Sequence, residues 1–450
     1  MPVDPQNCRV PETPGLAGPG RVHAPASLLR STMRTSPRRI LLLAAFATLQ
    51  LTAARLEAEV RTLTILHTND LHSRLSPLDN HHGGFAYLAA VIRHERDGCT
   101  DCILLNAGDV AQGSPVSTIY KGIPIFEIAN LFGFDAATLG NHDFDYGWQQ
   151  ARNFVEMSKY PIVTSNVVDG LGRLLTPKPW VILKVNGLRI GVIGAMTNDL
   201  HSLTFPSALG DFRTIPSVET VRKYAAELRG QCDLIVLVAH ISPAEEQAFL
   251  KEPDVPVIVS GHVHSGLDRE LSNRDHVLVR VKSYGEELGR LELKVDTEKK
   301  APVSWTWKKI LVDDDKIVPA PDVAAQVKQW EDKVSGVVDQ PIGVSNRLLS
   351  KPEVKALLEQ AMKDATGADF AYLNTGGVRD ILPKGQITLR YAFNIMPFDD
   401  MIVWGTFKGR DLPAVVTAGK QIDLDRDYKL AVSDFTAANQ ETPENLRTTG

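Results

Sequence analysis

The chain has 450 residues, of which 43% are hydrophobic and 23% charged, with a formal net charge of −5. That length exceeds one ordinary core and makes two domains the expectation, and the composition is that of a soluble globular protein. Residues 1–58 carry seven Arg against three acidic residues, which leaves about −9 for the remainder, so the body lacks the basic footprint of a nucleic-acid polymer binder.

Residues 1–58 read as a leader and export signal. Arg38-Arg39 precede an apolar run from Ile40 to about Ala54, with small residues at Ala53, Ala54 and Ala58. The run is shorter than the roughly 20 residues that span a bilayer, so no stable membrane insertion is expected; a buried N-terminal helix is the other reading. Starting at Met33 gives an n-region of ordinary length, so Met33 is the expected start and the product is expected in the periplasm or secreted. Cys8 leaves with the leader. Cys99-x-x-Cys102 is a redox pair or a local disulfide, and the disulfide is favoured because Cys102 opens a strand rather than a helix that would lower a thiol pKa. Cys232 is expected to be a buried thiol.

Residues 59–312 alternate strand-like and helix-like segments. Leu63–His67 and Cys102–Asn106 read as strands, and Phe85–Arg96 has helical spacing. Val181–Leu183 and Ile190–Ile193 flank Asn186-Gly187, a hairpin signal. Asp233–Ala239 and Val255–Ser260 look like buried strands, and Val277–Val281 and Leu291–Val295 continue the β-structure. Residues 313–340 read as a helical linker, with helical pattern over Asp322–Val334. Residues 341–450 form a second unit, with a helix from about Lys351 to Thr366, a strand at Phe370–Leu373 and a Gly-rich turn at Thr375-Gly376-Gly377.

Just past the strand-like runs stand Asp70-x-His72, Gly108-Asp109, Gly140-Asn141-His142-Asp143, His240 and Gly261-His262-x-His264. Open α/β sheets bind ligands in the crevice outside the carboxyl ends of their strands. Asp, His and Asn supply the oxygen and nitrogen donors that hold divalent transition metals. Asp109 has two oxygens and could bridge two ions. Each fragment alone has a bland alternative: a surface turn for Asp70-x-His72, a satisfied core histidine for His240. Five in order point to a pair of ions clamping an in-line attack on phosphorus. His142-Asp143 then reads as an acid with its orienting carboxylate.

These residues, in the settings LHTNDLHSRL, NAGDVAQGSP, LGNHDFDYG and SGHVH, resemble the 5′-nucleotidase and UDP-sugar hydrolase branch of the calcineurin-like metallophosphoesterases. The resemblance runs from about residue 61 to 441. It implies an α/β fold, a four-layer αββα metallophosphatase domain followed by a smaller α/β nucleotide-binding C-terminal domain. It implies two divalent ions (Zn, Mn, Co or Fe), one held by Asp70, His72, Asp109 and His264, the other by Asp109, Asn141, His240 and His262. It further implies that Asn374, Gly376, Gly377 and Arg379 contact substrate and that Phe398 and Phe435 clamp a base between them. Arg347 is a candidate second anion-binding arginine; for Phe398 and Phe435 the alternative is plain core packing, and for Arg347 a surface arginine.

The branch's Gly-Gly-Asp-Gly-Tyr-like segment after the second aromatic is absent here, where Asn439-Gln440-Glu441 stands, with Glu441 a candidate for the ribose contact. The departure bears on nucleotide specificity and not on hydrolysis; the activity the resemblance implies is hydrolysis of nucleoside 5′-phosphates by a metal-bound hydroxide. Other readings are a 2′,3′-cyclic nucleotide phosphodiesterase, a UDP-sugar pyrophosphohydrolase, a thiosulfohydrolase, or a non-catalytic exported nucleotide-binding protein. Phosphate and base contacts come from different domains, so rotation about residues 313–340 is expected.

Overall fold

Strand β1 (Val60–Thr68) shows how the sequence builds the layers. Leu63 and Ile65 point to one face and Leu66 to the other, the period-2 alternation of a strand, and they enter two different cores. The structure, a computed structural model, describes residues 59–78 and 80–438; the leader, Met33 and Glu441 lie outside the described residues. β1 pairs in parallel with β2 (Cys102–Ala107), which pairs in parallel with β3 (Ala136–Thr138).

The second sheet is built from β4 (Trp180–Val185), β5 (Leu188–Met196), β6 (Leu234–His240), β7 (Val257–Gly261), β8 (Leu271–Asn273) and β9 (His276–Val279), in the order β8-β9-β7-β6-β5-β4. Its β9, β7, β6 and β5 run parallel. Returning strands β10 (Glu287–Asp296) and β11 (Ala301–Leu311) complete the first sheet in the order β11-β10-β1-β2-β3. The expected hairpin joins β4 to β5, with φ of 47° at Asn186 and 71° at Gly187, the two left-handed residues of a type I′ turn.

Between the sheets lie Leu63, Ile65, Ile103 and Leu105 from one and Val236, Val238, Val257 and Val259 from the other. Outside the first sheet, helix Phe85–Arg96 buries Phe85, Leu88, Ala89 and Ile92, an i, i+3, i+4, i+7 stripe. Outside the second, helices Ser217–Leu228 and Pro243–Phe249 bury Val221, Leu228 and Phe249 against Ile193 and Leu237. The result is helix, sheet, sheet, helix. Residues 313–340 do contain a helix, Pro321–Val338, but it is not a free tether. Val323, Val334 and Val338 enter the same core as Phe85.

The C-terminal portion has its own small cores. Helix Lys351–Thr366 starts with a Ser350/Glu353 capping box, ends at Gly367 (φ 66°) and buries Val354 and Met362. It packs beside a three-stranded sheet of Phe370–Tyr372, Asp427–Ser433 and Ile402–Lys408. Cys99 and Cys102 form a disulfide, and Cys232 is buried. Among the described residues no helix is long and apolar enough to cross a membrane.

Candidate active site

All five donor fragments lie at the carboxyl ends of parallel strands: Asp70 and His72 after β1, Asp109 after β2, Asn141 to Asp143 after β3, His240 ending β6, and His262 and His264 after β7. Reaching one point from five strands bends the chain sharply. Asp70, His72, Asp109 and His262 sit at φ of 50°, 46°, 54° and 77°, a left-handed conformation that costs roughly 1–2 kcal/mol per residue and persists only where surroundings over-determine it. The loops hold one another. The Asp70 amide donates to Gly108 O (3.0 Å), the His72 amide to Asp109 O (3.0 Å), and the His262 amide to both Asp70 carboxylate oxygens (3.1 and 3.0 Å). Gly140 is required by close approach, since a Cβ there would lie 2.0 Å from Asp109 Oδ1.

Donor atoms of Asp70, His72, Asp109 and His264 all lie within 4.8 Å of one another. His72 Nε2 and His264 Nε2 face each other at 3.0 Å. Asp109 Oδ2 is 3.1 Å from His240 Nε2 and 3.6 Å from His72 Nε2, yet no hydrogen bond is aligned on that buried oxygen. His240 donates its Nδ1 proton to Ala107 O (2.9 Å), which leaves Nε2 facing Asn141 Oδ1 at 3.1 Å. The His262 ring lies 4.9 Å from that of His240. Structure thus brings all seven expected donors together.

Burial pushes the pKa values of His262 and His264 down to about 3 and holds His72 well below the ordinary value, with Arg379 adding to the effect at His72 and His264. Burial alone would raise Asp109, but His240 and His142 outweigh it and hold its carboxyl well below the usual range. The neutral imidazoles of His72, His262 and His264, gathered with Asp70 and an ionised Asp109 whose buried Oδ2 has no aligned hydrogen bond, make a donor set of the kind that holds divalent metals. The residues present fit divalent metal ions.

Asp143 does not orient His142, contrary to expectation. Its carboxylate accepts the backbone amides of Gly140 (2.8 Å), Asp109 (3.2 Å), Val110 (3.2 Å) and Ala111 (3.0 Å). It ties the two loops together and is fully enclosed. Asp145 takes the orienting position instead, with Oδ2 2.8 Å from His142 Nδ1. Burial opposes charging of His142, but Asp145 and Asp109 outweigh it and raise its pKa. Asn69 is a second residue the sequence reading missed: its amide nitrogen donates to Asp70 Oδ2 at 2.7 Å.

A cavity of about 630 Å³ opens from this cluster. Asp109, Asn141, His142, His262 and His264 line it together with Asn374, Gly376, Gly377, Arg379, Phe398 and Phe435, and the Phe398 ring centre lies 5.7 Å from that of His142. Arg379 joins the donors to Phe398, with Nη2 3.3 Å from His72 Nε2 and its guanidinium 5.8 Å from the Phe398 ring centre. Phe435 meets Phe205 edge to face at 5.5 Å. Phe205 lies in the first domain, in a segment with no motif to announce it. Asn374 Oδ1 and both amide atoms of Gln112 are buried in the cavity wall without a protein partner.

Arg347 is not part of the site. Its guanidinium bonds Glu353 at 2.6 Å on the exposed start of helix Lys351–Thr366, and it is absent from the cavity lining.

Paired α/β sheets with carboxylate and imidazole donors gathered at their strand ends define a metal-dependent phosphoesterase. Residues 63–266 match the calcineurin-like phosphoesterase family and residues 335–418 match the 5′-nucleotidase C-terminal domain. The chain belongs to the calcineurin-like phosphoesterases that carry a 5′-nucleotidase C-terminal domain. It is 26% identical over 83% of its length to endonuclease YhcR of Bacillus subtilis, and spans 34% of that protein. It is 27% identical over 78% of its length to a 5′-nucleotidase of Vibrio parahaemolyticus, covering 73% of it. A 5′-nucleotidase precursor from Thermus thermophilus shares the fold, with a TM-score of 0.78 at 22% identity, covering 86% of this chain and 92% of that one.

Proposed function

We propose that the chain is an exported, two-ion phosphoric ester hydrolase that releases phosphate from nucleoside 5′-phosphates. One observation carries the reading: donor residues Asp109, Asn141, His262 and His264 and the Phe398 and Phe435 rings line a single cavity, whose volume lies in the range of small-molecule sites.

Asp70, His72, Asp109 and His264 are assigned to one ion, and Asp109, Asn141, His240 and His262 to the other, with Asp109 shared. When bound, the ions (Zn, Mn, Co or Fe) would supply an activated water and neutralise charge on the phosphoryl oxygens. Everything else is done by side chains. Arg379 reaches both the donor cluster and the Phe398 ring, so it holds the phosphate end of the substrate while Asn374 accepts a hydrogen bond from the nucleoside. Phe398 and Phe435 stack the base, a contact typically worth about 1–3 kcal/mol. His142, oriented by Asp145, protonates the departing ribose oxygen. Its proximity to Asp145 keeps the proton in place until the P–O bond breaks.

The likeness to the Vibrio 5′-nucleotidase supports a nucleotide 5′-phosphate as substrate. Cyclic nucleotides and UDP-sugars present the same phosphoryl and base groups and belong in the same assay. The decisive experiment strips the purified protein with a chelator, reloads it with each ion and measures turnover of AMP, UDP-glucose, 2′,3′-cyclic AMP and thiosulfate. AMP hydrolysis that vanishes on chelation and returns with the ion supports the proposal. Turnover that survives chelation overturns it. Sequencing the N-terminus of the exported form tests the leader.

A further inference from the structure

Arg280 and Glu246 form an ion pair in which both side chains are at least 95% buried, with Arg280 Nε 2.9 Å from Glu246 Oε1. Burying two charges removes their hydration, and replacing such a pair with apolar residues of similar volume is often neutral or stabilising. The pair is therefore poorly explained as a stability device. Its remaining contacts all go to one place. Arg280 Nη1 donates to Val263 O (2.9 Å) and Gly266 O (3.3 Å), and the Ser260 hydroxyl donates to Glu246 Oε1 (2.7 Å). The Leu267 amide donates to Arg280 O at 3.0 Å. Residues 260, 263, 266 and 267 bracket His262 and His264 on both sides. That same loop includes His262 at φ 77°, a conformation that survives only if its neighbours fix it.

We propose that Arg280, with Glu246 as its counter-ion, is a positioning residue that holds the His262–His264 loop in the geometry needed to ligate both ions. The fork of a guanidinium suits this task, because it can grip two carbonyls and one carboxylate at once in a fixed plane. A lysine can satisfy the charge but not the three directions. Neither residue lines the cavity. The inference rests on the two-ion reading above and adds to it the device that sets the affinity of the histidine side of the centre.

The test uses the full chain, stripped of metal and titrated with Mn²⁺ by calorimetry, alongside the melting temperature in chelator. Two variants are compared with the parent: Arg280→Lys, and the double replacement Glu246→Leu with Arg280→Met. In chelator the double variant is expected to melt near the parent, while Mn²⁺ affinity falls ten- to a hundredfold, the usual loss when a group supporting a ligand is removed. Arg280→Lys should fall between the two. Parent-like Mn²⁺ affinity in a folded double variant overturns the proposal. So does an affinity loss that merely tracks a collapse of the melting temperature in both variants, which marks a purely structural role. A parent that binds no Mn²⁺ overturns the two-ion reading itself, and is recognised before any substitution is made.

Discussion

His142 Nδ1 and Asp145 Oδ2 lie 2.8 Å apart across one turn of a 3-10 segment. This contact fixes the imidazole ring so that its other nitrogen faces away from Asp145. Removing the carboxylate charge should matter most when the leaving oxygen is basic. Asp145→Asn is expected to lower kcat on AMP about 10–100-fold while changing p-nitrophenyl phosphate hydrolysis little, because p-nitrophenolate leaves without a proton. His142→Ala should lose about 10²–10⁴ on AMP with ion content unchanged. Equal losses on both substrates would show that the pair does not serve the leaving group.

Asp143 predicts a different phenotype. Four backbone amides from two loops converge on its carboxylate, and burial followed by the nearby Asp109 charge pushes its pKa up to about 7. Asp143→Ala leaves those donors without an acceptor, and each buried unsatisfied donor costs about 1–3 kcal/mol. Urea unfolding should show a loss of at least ~3 kcal/mol, and ion binding should weaken with it because Asp109 moves. A variant of parental stability with only a kcat defect would restore a direct catalytic role.

The aromatic end is tested by substrate discrimination. Phe398→Ala and Phe435→Ala should each raise KM for AMP about 5–100-fold, matching the loss of one stacking face. Activity on p-nitrophenyl phosphate, which carries no nucleoside base for the rings to stack, should stay within about twofold. Parallel losses on both substrates count against the clamp.

Asp400 gives a pH signature away from the metal donors. Burial first, then the neighbouring Asp434 charge, raises its pKa from 3.8 to about 6. A carboxyl whose folded pKa exceeds its unfolded value makes the folded state lose stability as pH rises between those two values. The loss is absent below about pH 4 and complete above about pH 6. Asp400→Asn should therefore match the parent at pH 4 and exceed it at pH 7 by about 1–2 kcal/mol, allowing for partial solvent screening. A stability difference that does not change between pH 4 and 7 would contradict this.

Much of the architecture is legible because strand alternation and helix stripes are written residue by residue. Leu63, Ile65 and Leu66 announce a strand with two buried faces, and Asn186-Gly187 announces its hairpin. The donors are legible because each sits where a strand ends. What escapes is direction. Asp143 adjoins His142 in sequence and Asp145 lies three residues on, and only the 3-10 turn decides which one faces the imidazole and which turns inward to the amides. The left-handed backbone at Asp70, His72, Asp109 and His262 carries no compositional mark, since none of them is glycine. Phe205 reaches Phe435 from a segment with no motif, and Arg347 matches its expected context yet pairs with Glu353.

The docking of helix Pro321–Val338 makes that helix part of the first core rather than of the joint between the lobes. Since Val323, Val334 and Val338 anchor that helix in the first core, a pivot for the C-terminal lobe, if it turns, would fall at Asp339-Gln340 rather than in the acidic stretch before the helix. Arg390 straddles that pivot, clasping Glu331 at 2.6 Å and Asp339 at 2.7 Å. Arg390 thereby ties the C-terminal lobe to the helix anchored in the first core, and any rotation of that lobe away from the helix would have to break the Glu331 pair.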